Sequence, residues 1–203
     1  MHAILFQHAV PNPHRDLFGA GGRYLLTRLE LAEPWASTVR ASLELIDALD
    51  EQISECEREL RGLGAQHPYI PLLTTLPGVA WLLGSTIASE LGDIHRFPSP
   101  RKLIGYTGLT PRVEQSGERD RRGPLRPNGP NYLRWALIEA AHTAGRDSRY
   151  RPVVERMRAR HGRARGSKIA AIEIGRRLTE AIWQMLTHDR PFGAAGAPPP
   201  LAA

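Results

Sequence analysis

From Pro34 to Leu60 the residues Val39, Leu43, Ile46, Leu49, Ile53, Cys56 and Leu60 stand three or four positions apart, with no proline between Trp35 and His67. That spacing lays side chains along one stripe of an α-helix, whereas a half-buried strand would alternate by twos. Residues 33–66 are therefore expected to form one long amphipathic helix, and a chain built around it is expected to be all-α. The stripe is close to a heptad seam. It fits a coiled coil, made with a neighbouring helix or a second copy, and it fits equally an ordinary helix packed on its own domain. On either reading Cys56 is expected to be a small buried hydrophobe.

The rest of the chain reads as shorter pieces. Residues 1–32 form a linker-like leading segment in which "PNP" and "GAGG" mark breaks beside the apolar "RYLLTRLEL". After "RGLGAQHPYIP" ends the long helix, residues 67–192 are expected to fold as a compact helical domain. Within it, "LLTTLPGVAWLLGSTIASEL" reads as a short helix, a tight turn at Leu76–Val79 and a second helix. Such a helix-hairpin-helix-like shape can present backbone N–H groups to a phosphate, but a plain Pro-Gly turn would account for the same residues. Asn131 is expected to cap a helix whose broad apolar face includes Tyr132, Leu133, Trp135, Ala136 and Leu137. A last helix from Ser167 to Thr187 is expected to bury Ile169, Ile172, Leu178, Ile182, Met185 and Leu186. Residues 193–203, "GAAGAPPPLAA", read as a disordered tail.

Charge narrows the partners. Lys plus Arg number 27 against 21 Asp plus Glu, and only Lys102 and Lys168 are lysines, so nearly all the positive charge is guanidinium. The planar fork of arginine suits phosphate oxygens. Between Arg146 and Lys168 nine basic residues face two acidic ones, a density that favours a polyanion, although charge runs often form solvated faces. With Cys56 as the single cysteine, neither an intrachain disulfide nor a Cys-based zinc site can be assembled. No stretch approaches the roughly 18 apolar residues of a membrane span, and a reducing, cytoplasmic setting is expected. Walker A, dinucleotide-binding and zinc-protease motifs are not found.

The stretch "YTGLTPRVEQSGERDRRG", residues 106–123, raises a chemical possibility. Ser116 lies among Arg112, Arg119, Arg121 and Arg122, with Arg126 and Arg134 further on and Gly117 beside it. A serine hydroxyl becomes a nucleophile when its proton is removed and the developing charge is stabilised, and on a phosphodiester arginines can do the second task. A polar loop turning at Ser-Gly would explain the same residues. Glu114 and Glu118 could act as general bases or as ion-pair partners of the arginines.

In order and spacing, "LPGV", "LIGYTGLTPR", "QSGERDRRG" and "GPNYLRWALIEAA" resemble the C-terminal domain of the insertion sequence 110, 116 and 902 transposase family, which includes the Piv invertase. The resemblance runs from Leu72 to Phe192, and the long helix and "RDLFGAGGRYLLTRLEL" are similar to the segments that precede that domain. It implies a DNA recombinase of a mobile element, guided in characterised cases by a structured (bridge) RNA. Ser116 falls at the family's catalytic serine, which attacks DNA to form a phosphoserine link. By the same match Gly78, Arg112, Gly117, Arg119, Arg121, Arg122, Arg126, Asn131 and Arg134 would hold nucleic acid. The family also carries a RuvC-like domain whose four carboxylates bind divalent metal such as Mg. This chain shows no match to those carboxylates. "DALD", Asp47 to Asp50, has a similar spacing but lies on the long helix and reads as solvent-facing charge. The prolines of "RPNGPNYLR", Pro127 and Pro130, also depart from the family pattern and predict a stiffer loop. The expectation is a truncated copy, inactive alone and without metal of its own, that joins a second copy or a full-length transposase. The alternative is a non-catalytic nucleic-acid-binding or dimerising fragment.

Overall fold

Helix α3, Trp35–Gly64, is the long helix that the apolar spacing predicts. It follows α1, His2–Gln7, and α2, Ala20–Thr27, and leads to α4, Ile70–Leu73, and α5, Trp81–Leu91. After a 3-10 turn at Ile94–Arg96 come α6, Pro100–Thr107, strands β1, Pro111–Ser116, and β2, Arg119–Leu125, then α7, Asn131–Ala144, α8, Arg151–His161, and α9, Arg163–His188. This computed structural model describes residues 1–116, 119–125 and 128–193, with 111–116 and 119–124 described by their backbone. The chain divides into two units, Met1–Leu60 and Arg61–Ala203.

In the first unit, Ile4, Leu5, Leu17 and Leu26 bury themselves with Val39 and Leu43 of α3, and Trp35, Leu29 and Leu31 pack against them. Arg23 on α2 bonds to Asp47 and, at 3.2 Å, to Asp50, and the Asp47 hydrogen bond raises the guanidinium pKa further. The two aspartates are exposed, as expected, yet each has a partner. Beyond Leu43 the stripe changes character: Leu49, Ile53 and Leu60 are exposed. Cys56 is exposed as well, against the expectation of burial. The apolar cluster of this unit draws on α3 only as far as Leu43, so the later seam positions face no apolar neighbour within it.

The second unit is a helical bundle in which α9 supplies the longest buried stripe. Ala170, Ala171, Ile174, Leu178, Ile182, Met185 and Leu186 are buried there with Leu133, Ala136, Leu137, Ala140 and Ala141 of α7 and Ile87 and Leu91 of α5. Helix α9 starts four residues before the expected Ser167, and Ile169 and Ile172 sit half-buried at the edge of the stripe rather than within it. Trp183 Nε1 donates to the Phe97 carbonyl at 2.8 Å, joining α9 to the segment after α5. Burial pushes the Tyr150 hydroxyl pKa up.

The framework is all-α, as expected, with one antiparallel ribbon set into it. Residues that read as a polar loop form β1 and β2, paired with Ser116 opposite Arg119, Gln115 opposite Asp120, Glu114 opposite Arg121 and Val113 opposite Arg122. The ladder is irregular between Pro111 and Val113. Polar and charged residues dominate both strands, so neither shows the apolar alternation by which a half-buried strand is recognised.

No described helix is long and apolar enough to cross a membrane.

Candidate nucleic-acid interface

The ribbon is rooted where α6 ends and α7 begins. Gly108 closes α6 with φ +71°, a left-handed conformation that glycine adopts without strain. A Cβ on Gly108 would lie 2.2 Å from the Asn128 carbonyl oxygen, and one on Gly129, at φ +115°, would lie 2.2 Å from the Tyr106 carbonyl oxygen. The outgoing and returning arms therefore meet backbone against backbone, with no room for a side chain at either position. Beneath them Leu109 and Thr107 are buried; the Thr107 hydroxyl donates to the Ile104 carbonyl at 2.8 Å and accepts from the Leu109 N–H at 3.3 Å.

Two predicted site residues stand at this root. Asn131 is the first residue of α7, not its cap; Pro130 occupies the cap position. The Asn131 side chain instead accepts a 2.5 Å hydrogen bond from Arg134 Nη2. Arg134 Nη1 lies beside Gly108, 2.8 Å from where a Cβ would be. It is buried and has no hydrogen-bond partner among the described residues. A buried guanidinium N–H without a partner is costly, about 1–3 kcal/mol or more, and it leaves a charged donor next to the ribbon.

Register sorts the arginines of the ribbon. Residues directly opposite one another share a face, and faces alternate along each strand. Ser116, Arg119, Glu114 and Arg121 therefore share one face, while Arg122 pairs with Val113 on the other. Arg112 falls in the irregular step between Pro111 and Val113. Gly117, Glu118 and Arg126 lie outside the described residues.

Gly78 is placed elsewhere. Its φ is +84°, and a Cβ there would meet the Ala140 carbonyl oxygen at 2.3 Å, so its open side is filled by the later turns of α7. Asn131 and Arg134 sit on the first turn of that helix, about two turns away. The helix before the Leu76–Val79 turn is the four-residue α4.

Sequence reasoning missed two residues here. Tyr132 and Trp135, expected on the buried face of α7, are 68% and 45% exposed, whereas Leu133, Ala136 and Leu137 are buried. They flank Arg134 on exposed positions three residues apart, neighbours on a helix surface. The available signal was their chemistry: both carry a polar N–H or O–H that tolerates water.

Among the described residues no group of three or more His, Cys, Asp or Glu is placed to hold a metal ion. The described residues thus do not fit a divalent-metal site.

Residues 70–156, from α4 through the ribbon and α7 into α8, match the model of the transposase IS116/IS110/IS902 family. The chain is 26% identical over 152 residues to the transposase for insertion sequence element IS1111A of Coxiella burnetii, covering 70% of this chain and 40% of that protein. It is 28% identical over 154 residues to the transposase for insertion sequence element IS1328 of Yersinia enterocolitica, covering 71% and 43%. Against the pilin gene-inverting protein of Moraxella bovis it is 29% identical over 160 residues, covering 76% and 47%. The chain therefore spans less than half the length of these relatives.

Proposed function

We propose that the chain carries the serine-bearing half of an insertion-sequence recombinase: it binds DNA across the ribbon and α7, and Ser116 is its nucleophile. The observation that carries this reading is the register, which puts Ser116 at the end of β1 opposite Arg119 and on the same face as Glu114 and Arg121. The match of residues 70–156 to the transposase IS116/IS110/IS902 family model supports DNA as the partner. Exposed Tyr132 and Trp135 beside Arg134 would add stacking surface to the positive charge.

In the proposed step the Ser116 oxygen attacks the phosphorus of a phosphodiester. The bond to the 3′ oxygen breaks, the DNA 5′ phosphate becomes a phosphoserine ester and a 3′ hydroxyl is released. Glu114 takes the serine proton, and Arg119 and Arg121 stabilise the charge spreading over the phosphate oxygens. After strand exchange a 3′ hydroxyl attacks the phosphoserine, which restores the serine and reseals DNA without ATP. The metal-bound carboxylates of such a recombinase would come from a partner polypeptide, a full-length transposase or another segment, and a structured RNA would select the target. The exposed part of the α3 seam would serve that association, and the work would be done in the cytoplasm.

The test is a denaturing gel after incubation with labelled element-end DNA, Mg²⁺ and the element's RNA, with and without a full-length relative. A slow covalent band that disappears in Ser116→Ala is expected. A band that survives Ser116→Ala would remove Ser116 from the role. DNA binding with no band in any mixture would leave the nucleic-acid-binding reading, for which the basic run at 146–168 is the specific observation.

A further inference from the structure

Helices α7, α8 and α9 enclose a cleft of about 560 Å³ away from the ribbon's root. The last turn of α7 and the residues after it supply His142 and Arg146, α8 supplies Arg151, Glu155 and Arg158, and α9 supplies Ser167. Arg151, Glu155 and Arg158 recur at helical spacing, so one face of α8 forms a wall. Three guanidiniums thus line one cleft against one carboxylate. Ala141, Ala170 and Ile174 close its floor with apolar surface.

What holds these arginines matters more than their number. Arg158 Nε donates to the Ser167 hydroxyl at 2.9 Å, and that hydroxyl donates to the Arg163 carbonyl at 2.7 Å. Arg151 Nη2 donates to the Arg146 carbonyl at 3.1 Å. Neutral acceptors therefore orient Arg151 and Arg158, and among the described residues none of the three cleft arginines forms an ion pair. Elsewhere in this unit Arg176 and Arg177 pair with Glu173 at 3.4 and 3.2 Å. Positive charge in the cleft is positioned and only partly offset by Glu155, and guanidiniums in that state suit phosphate oxygens through paired N–H donors. The volume lies within the range of ligand pockets and exceeds the need of a bare ion, while the apolar floor suits the carbon edge of a sugar.

We infer that this cleft is a second backbone site, which takes a phosphodiester and its adjoining sugar from a nucleic-acid strand bound by the chain. The inference rests on the nucleic-acid-binding part of the proposed function and not on Ser116. It separates Arg146, Arg151 and Arg158 from the other arginines of the basic run, which it treats as solvated charge.

Affinity of the full chain for duplex DNA, and separately for an RNA hairpin, should be measured across a salt series. Loss of the one phosphate contact held in the cleft should flatten the plot of log affinity against log salt by about 0.9 for duplex DNA, or about 0.7 for unpaired strands. Arg151→Gln with Arg158→Gln is expected to produce that drop, whereas Arg151→Lys with Arg158→Lys keeps the charge and the slope. Arg156→Gln with Arg160→Gln, in the same run but away from the cleft, is expected to leave the slope within about 0.5 of the wild type. A drop with only DNA or only RNA supports the site and identifies its strand. An unchanged slope in the glutamine pair, an equal drop in the Arg156 and Arg160 pair, or a full drop in the lysine pair overturns the inference. A missing covalent band sinks the role of Ser116 and leaves this result standing.

Discussion

Gly108 and Gly129 show how much of the candidate site depends on two positions without side chains. Each has a positive φ and each presses its α-carbon against a carbonyl oxygen of the other arm. Gly129→Ala therefore meets both a strained backbone, worth about 1–3 kcal/mol, and a clash with the Tyr106 carbonyl, which no rotamer change can relieve. Its thermal midpoint is expected to fall by several degrees, since about 1 kcal/mol shifts a domain of this size by roughly 2–4 °C. A midpoint equal to wild type would show that the two arms can separate at little cost. DNA affinity should fall in the same variant, because Arg134 Nη1 occupies the neighbouring space. Both glycines are visible in the sequence, and "RPNGP" reads as a stiff loop; that the two arms touch is not, because the contacts join residues twenty and twenty-three positions apart.

Helix α7 divides its labour along its length. Its first turns carry Asn131, Arg134, Tyr132 and Trp135 at the ribbon's root, and its later turns pack against Gly78. If the exposed aromatics stack on bases, Tyr132→Ala with Trp135→Ala should weaken single-stranded DNA binding by about 1–3 kcal/mol per base lost, with little change in thermal midpoint because neither side chain belongs to the buried core. Quenching of tryptophan fluorescence on DNA addition gives a second readout. A large fall in stability with unchanged affinity would return both residues to a packing role. Apolar periodicity found α7 and α9 but drew their stripes too wide, since Tyr, Trp and the edge isoleucines count as apolar whether or not a neighbour covers them. Helix α3 makes the same point: its spacing gave the helix correctly, but burial stops at Leu43, where the apolar cluster of its own unit stops.

The chain taken whole is held in its second unit by a continuous core around α9. Leu178, fully buried there, is expected to cost about 2–5 kcal/mol when replaced by alanine, measured as a shift in denaturant midpoint with the slope unchanged. A loss under about 1 kcal/mol would mean that α9 is not the centre of the core. The helical class, the long α3, the family resemblance and the basic character were all legible in the residues, because periodicity, motif order and charge are properties of the chain itself. The ribbon was not: its strands show no apolar alternation in the sequence, and pairing between polar strands is a backbone event that composition does not record. Nor could the basic run reveal which of its arginines share a cleft, since α8 and α9 must fold back on α7 before Arg146, Arg151, Arg158 and Ser167 meet. Local pattern therefore determined the elements and the basic character of the chain, while the long-range packing of α7, α8 and α9 and the glycine contact at the ribbon's root decided which charges stand together.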